Sequence, residues 1–260
     1  MPSIFQWSID LLNRIGTSGI FLIVSLYRAF LPPYSLYSII KQIYFVGARS
    51  ILVIIVSGTF VGMVIALQFH DTLVRFGSVS LLGSAVGLSL IRELGPVITA
   101  LMVIGRSGSA ICAEISIMRN EQQIDALECM AIDPYRYLIA PRILAGIISV
   151  PLLTAIFIVV GICGGYFVGV ILFNVSPGAY FQGMYETVLW RDIEMGLIKS
   201  LTFGLIILWI ATVKGFYLHT SMEKHGTYGS EGVSRITTDA VVISSIAVLC
   251  FDYLLSAIIL

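Results

Sequence analysis

The hydrophobic positions along the chain fall into long windows free of charge, not into the short alternation of strands or the narrow stripe of a surface helix. A helix needs about 20 apolar residues to cross a bilayer, so the windows locate the spans almost directly. Ser50 to His70 is uncharged between Arg49 and Asp71, giving a first span over 50–70. Phe76 to Gly105 is interrupted only by Arg92 and Glu93, and the Gly95-Pro96 that follows predicts one long, kinked helix over about 78–105. No charge occurs from Ile143 to Tyr185. Pro151 should kink the early part of that stretch, and Asn174-Val175-Ser176-Pro177-Gly178 reads as the turn that ends a third span of about 143–173. A fourth covers about 195–213 with Lys199 inside it, and a fifth about 233–259 with Asp252 near its end. The pattern predicts an all-α integral membrane protein with about five transmembrane helices in a domain of 49–260.

The segment 1–48 reads differently. Gly19 to Tyr27 is apolar but too short to cross, lying between Arg14 and Arg28. Ile4, Phe5, Ile9, Leu12 and Ile15 recur at near-helical spacing, with Asp10, Asn13 and Arg14 toward another side. This predicts helices lying in the membrane interface, the alternative being a frayed terminus. The first 19 residues carry Asp10 and Arg14 and no small-residue cleavage site after an apolar core, so the segment is expected to stay in the mature protein.

Composition narrows the class. Of 260 residues 58% are hydrophobic and 12% charged, 15 basic against 15 acidic, and mean hydropathy is +0.97. Soluble domains carry about twice that share of charge, so an ordinary soluble enzyme and a disordered segment are both excluded. Zero net charge without a basic run argues against nucleic acid. Cys112, Cys129, Cys163 and Cys250 stand singly in apolar or helical stretches and read as small hydrophobes, not metal ligands. His70, His219 and His225 lie in predicted loops, and no HExxH or GxSxG occurs, so no catalytic residue is assigned. There is no GxxxxGK[ST] run either; the chain is expected to bind no cofactor of its own, and any ATP-driven motion must come from a partner.

Basic residues set the orientation. With the N-terminus cytoplasmic, the inner segments hold Arg14, Arg28, Lys41, Arg49, Arg106, Arg119, Arg136, Arg142, Lys214, Lys224 and Arg235, against Arg75 and Arg191 outside. The polar segments 106–142 and 214–232 then face the cytoplasm and the C-terminus lies outside. Within the first, 118–131 predicts an amphipathic helix between the second and third spans. Ile117, Ile124, Leu127 and Met130 or Ala131 form its apolar stripe, and Glu121, Asp125 and Glu128 line a neighbouring face. Such a helix either covers the mouth of the bundle or docks in a groove of a cytoplasmic motor.

Charges inside the spans are costly toward lipid, so Arg92, Glu93, Lys199 and Asp252 should point into the bundle or a wet cavity. Arg92 and Glu93 are about 100° apart on a helix and should seek different partners, for which Lys199 and Asp252 are candidates. They are structural pairs, or Arg92 meets a lipid phosphate. Ile65, Phe69, Thr72, Leu73 and Phe76, at mostly three- to four-residue steps, either line an apolar lipid tunnel or pack ordinarily. Gly58/Gly62, Gly83/Gly87 and Gly161/Gly165/Gly169 repeat every four positions and permit close helix contact.

The run from Gly105 through Arg106-Ser107-Gly108-Ser109 to Glu114, then Met118-Arg119, Glu121 to Glu128, Met130, Ile132-Asp133-Pro134, Tyr137-Leu138 and Pro141-Arg142, resembles the signature of the MlaE family of ABC-transporter permeases. Arg92-Glu93-Leu94-Gly95-Pro96 matches the same family, and the resemblance covers most of the chain from Ser50 onward. It implies a homodimeric permease in the inner membrane of a double-membraned bacterium, moving phospholipids or related lipids. Its partners would be a cytoplasmic ABC ATPase and an MCE-domain periplasmic substrate-binding protein. It also implies that Glu121, Asp125, Leu127, Glu128 and Met130 belong to the coupling helix that meets the ATPase. The lipid cavity would lie at the dimer interface near Ile65, Phe69, Thr72, Phe76, Arg92 and Glu93. His70, Asp71 and Arg75 depart from the largely uncharged outer rim expected there. The competing reading, an ion-coupled secondary transporter built on the intramembrane charges, predicts internal repeats that the two halves of the chain do not show.

Overall fold

The computed structural model describes residues 4–29, 36–218 and 229–259, with side chains from residue 16 onward. The predicted apolar face Ile4 to Ile15, and His219 and His225, lie outside the described side chains. The described residues are helical throughout apart from short turns, and none forms a strand.

Among the described residues eleven α-helices follow in order: α1 Ile4–Ala29, α2 Leu36–Val46, α3 Ile51–Arg75, α4 Leu82–Ser89, α5 Gly95–Val103, α6 Ser109–Asn120, α7 Gln123–Cys129, α8 Ala140–Tyr166, α9 Pro177–Thr187, α10 Trp190–Phe216 and α11 Ser230–Ile259. Several join end to end. A 3-10 turn Ala48–Ser50 links α2 to α3, π-helical turns Leu90–Leu94 and Ile104–Gly108 link α4, α5 and α6, and further π turns flank α8. The result is five continuous helical rods long and apolar enough to span a membrane: Leu36–Arg75, Val79–Asn120, Tyr135–Leu172, Trp190–Phe216 and Ser230–Ile259. The five predicted spans are all present, and each rod runs beyond its charge-free window, because a helix continues past the apolar slab while its backbone can still pair.

Three boundaries differ in kind. Residues 36–46, grouped with the N-terminal interfacial helices from the sequence, form the start of the first rod and pack along α8. The helix expected over 118–131 is two pieces: α6 runs to Asn120, and Gln122, at φ 58°, breaks it before α7 begins. α9 was legible only as the turn at 174–178; Ser176 caps it, accepting from the Ala179 N–H at 3.4 Å, and Pro177 stands in its first turn, where a missing N–H costs nothing.

In lipid the apolar surface of a helix gains little by exchanging lipid for a neighbouring helix, so close backbone approach carries the packing. α3 crosses α8 at Gly62 and Gly161, where a Cβ on Gly62 would lie 1.9 Å from the Gly161 carbonyl oxygen. α8 meets α10 in the same way, a Cβ on Gly204 falling 2.5 Å from the Gly146 carbonyl oxygen. The small-residue repeats thus serve contacts inside one chain. α9 packs on α4, burying Tyr180 completely, and the Tyr180 hydroxyl donates to the Ile162 carbonyl at 3.2 Å. α10 is the central rod, with 61% of its most apolar window buried, whereas α11 has 11% of its window buried and leaves most of its surface to the surroundings.

Replacing Gly62 with Val forces the α3–α8 crossing apart and should cost about 3 kcal/mol or more. Gly178→Ala, where nothing lies within 4 Å of an added Cβ, should be neutral. Thermal unfolding of the two variants in detergent checks the contrast; equal midpoints would mean that the crossing is not under this constraint.

Candidate functional site

Two groups of polar side chains stand out, one inside the spans and one at the end of the bundle that carries α7. The first is built around Lys199, nine residues into α10, about 14 Å along its axis. Its side chain is 0% exposed. The ammonium lies 2.5 Å from Glu93 Oε2 and 2.9 Å from Asp252 Oδ1, and it donates to the Arg92 carbonyl at 3.0 Å. Ser256, one turn beyond Asp252 on α11, donates to Glu93 Oε1 at 3.1 Å. Three rods therefore meet in one network. Both carboxylates predicted from the sequence are there, and Lys199 joins them.

Arg92 finds a partner that the sequence reading missed. It reaches Asp192 at 2.8 Å, and the other oxygen of Asp192 accepts the Leu189 N–H at 2.9 Å, closing the start of α10. Asp192 precedes the charge-free window of the fourth span and so read as a loop residue; its place three residues after Leu189, where a carboxylate caps a helix, is the signal that points to it. The π turn Leu90–Leu94 carries both Arg92 and Glu93 and aims one at Asp192 and the other at Lys199, as expected for neighbours about 100° apart. Their side chains remain 35% and 41% exposed, so each keeps a face open beside its ion pair.

Of the residues expected along a lipid path, Ile65 is buried in the core, Phe69 and Leu73 pack at its margin, and Thr72 and Phe76 are exposed. They grade from the interior of α3 to its open end. His70 stacks on Phe173 with ring centroids 3.8 Å apart, and Asp71 pairs with Arg75 at 2.8 Å on the surface.

The second group fixes the segment around α7. Ile124 is fully buried and Leu127 half-buried, which seats the short helix on the bundle. Arg119 pairs with Asp125 at 2.6 Å while its guanidinium lies over the Phe216 ring, and Arg142, almost fully buried, pairs with Glu114 at 3.0 Å. Arg28 of α1 pairs with Asp133 and covers the Tyr135 ring. Phe21, Tyr135, Phe216 and Tyr217 close beneath these pairs as one aromatic knot, with centroids 5.2 to 5.8 Å apart. Asp125 is thus held within the chain, whereas Glu121, Glu128 and Met130 are exposed. Glu128, Ile132, Asp133 and Tyr135 also line an open hollow beside Arg28. Of the expected apolar stripe only Ile124 and Leu127 face inward; Ile117 and Met130 are exposed. Among the described residues no cluster of His, Cys, Asp and Glu has metal-holding geometry.

Residues 39–258 match the family described as Permease MlaE. The intermembrane phospholipid transport system permease protein MlaE of Haemophilus influenzae is 44% identical over 221 residues, covering 85% of this chain and 82% of that protein. A probable ABC transporter permease protein of Rickettsia felis is 38% identical over 98% of this chain and 95% of its own length. The chloroplastic protein TRIGALACTOSYLDIACYLGLYCEROL 1 of Arabidopsis thaliana is 33% identical over 84% of this chain and 60% of that protein.

Removing one member of the buried network should cost more than neutralising all of it. Lys199→Ala leaves Glu93 and Asp252 facing each other without a cation, a loss of about 3 kcal/mol for an uncompensated buried charge. Lys199→Met combined with Glu93→Gln and Asp252→Asn should recover most of that stability, as thermal unfolding in detergent would report. A triple variant no more stable than Lys199→Ala contradicts the pairing.

Proposed function

Since the chain belongs to the MlaE permease family, we propose that it is the membrane-spanning subunit of an ABC transport system that moves phospholipids or related lipids between the inner membrane and the outer envelope. It works without catalysis of its own; ATP is hydrolysed by a cytoplasmic ABC ATPase. α7 and the turn after it form the coupling element that this ATPase pushes. The observation that carries the reading is the build of that element: ion pairs and an aromatic knot fix it to the ends of α1, α6 and α10, with α8 tied to α6 beside it through Arg142 and Glu114, while Glu121, Glu128 and Met130 project outward. A rigid seat with a free outer face suits a part that transmits displacement to several spans at once. The names of the relatives, a phospholipid transport permease in one and an ABC transporter permease in another, support the same reading.

The excess of Lys and Arg at this end puts α7 and the N-terminus in the cytoplasm and the C-terminus in the periplasm. An MCE-domain periplasmic protein then meets the opposite end, and a second copy of the chain completes a lipid cavity near Ile65, Phe69, Thr72 and Phe76. The open faces of Arg92 and Glu93 border that cavity, their ion pairs holding the spans together as it opens and closes. An ion-coupled carrier built on the same charges has less support, because Arg92 and Lys199 are already matched by carboxylates.

Glu121→Lys with Glu128→Lys and Met130→Asp alters the outer face and leaves the Arg119–Asp125 pair intact. Lipid transport with the partner ATPase should fall about tenfold or more, the effect of losing an interface anchor of about 1.4 kcal/mol, with the melting temperature unchanged. Transport at the native rate contradicts the coupling assignment.

A further inference from the structure

The elbow where α2 turns into α3 gathers positive charge that no carboxylate among the described residues meets. Arg106, on the π turn Ile104–Gly108, donates to Ser50 Oγ at 2.7 Å and reaches the Phe45 carbonyl oxygen at 3.3 Å. Arg49 lies over the rings of Phe45 and Tyr44, its guanidinium carbon 5.6 and 5.8 Å from the two centroids. Two guanidinium groups thus converge on one residue. Arg28, Arg75, Arg92, Arg119 and Arg142 each meet a carboxylate; Arg49 and Arg106, like Arg191 and Arg235, pair with none among the described residues, and these two neighbours meet hydroxyl and carbonyl oxygens and ring faces instead. Two neighbouring cations without a counter-ion repel each other, and an anion between them removes the repulsion.

The surroundings say which anion. Tyr37 and Tyr44 are exposed on α2, and such amphipathic rings settle at the level of lipid head groups. From the elbow inward, Leu52, Val56 and Phe60 form an exposed apolar row at four-residue steps down α3, the face that an acyl chain covers. Gly105, next to Arg106 in sequence, has nothing within 4 Å of where a side chain would start, so the same π turn also has an open face. Cations at the head of an apolar row match a phosphate with its chain attached, and guanidinium binds phosphate through paired N–H donors.

We infer that the elbow is a binding site for the head group of an anionic phospholipid of the bilayer, held by Arg49 and Arg106 with its acyl chain along Leu52, Val56 and Phe60. The site lies at the α7 end of the bundle, away from the Lys199 network, and requires only that the chain sits in a membrane, whatever it transports.

Native mass spectrometry of the purified full-length chain in neutral detergent, titrated separately with phosphatidylglycerol and with phosphatidylcholine, tests this. The native chain should retain phosphatidylglycerol preferentially. Arg49→Gln should weaken that retention about fivefold, the effect of one interfacial cation, and Arg49→Lys should keep it within about twofold. Among the described residues Arg49 contacts the ring faces of Tyr44 and Phe45, so its loss leaves the Arg106 brace on Ser50 in place; Arg49→Gln with Arg106→Gln should abolish the lipid preference. Millimolar inorganic phosphate should not displace the lipid. Unchanged retention by Arg49→Gln, no preference in the native chain, or displacement by inorganic phosphate overturns the assignment, the last by making the elbow a free-anion site.

Discussion

The ammonium group of Lys199 sits where water does not reach, on the most buried of the five rods, and a charge in that position must be answered at the same depth. Glu93 and Asp252 answer it from two other rods. The requirement fixes more than a contact. It sets the height and rotation of α10, α11 and the π turn Leu90–Leu94 relative to one another, and Arg92 with Asp192 repeats the constraint at the mouth of α10. Hydrophobic burial does not choose between helix registers in lipid, since the tails are as apolar as the side chains. Charges that must meet do choose, and the glycine crossings at Gly62–Gly161 and Gly146–Gly204 then draw the remaining rods to contact distance.

The α7 end obeys the same logic with different consequences. There Arg28–Asp133 and Arg142–Glu114 join separate helices, Arg119–Asp125 ties α7 back to α6, and the Phe21–Tyr135–Phe216–Tyr217 knot closes beneath them. Short helices of seven residues have little stability of their own, so α7 owes its place to these attachments and to Ile124. A segment attached in this way is tied to the ends of several rods at once, which is the property the proposed coupling role needs. Among the described residues four π turns lie within or beside the spans, two of them carrying Arg92, Glu93 and Arg106, and each re-aims side chains that a straight α-helix would point elsewhere.

The spans were legible because a bilayer demands a long apolar run, and few other structures do. What escaped was of two kinds. α9 carries Pro177, Gly178 and Gly183 in a stretch too short and too mixed to show a period, and its packing against Gly83, Gly87 and Gly169 appears only in the fold. Asp192 escaped because charge-free windows define where spans are and push every charge at their edge into a loop. The family signature was readable as a run of residues, yet its physical content was not: Glu114 with Arg142, Arg119 with Asp125 and Arg106 with Ser50 become partners only when folded. Asp125 shows the difference best. On a helical wheel it belongs with Glu121 and Glu128 on the face offered to a partner, and in the fold it turns back to Arg119.

The central claim is that this chain is a passive bundle moved by a partner at its α7 end. Purifying the tagged chain from its native membrane in mild detergent, and identifying by mass spectrometry what comes with it, tests that claim most directly. The account predicts recovery of a P-loop ATPase, lost when Glu121, Glu128 and Met130 are altered together. Recovery of the native chain alone, under conditions that keep other membrane complexes whole, would contradict it.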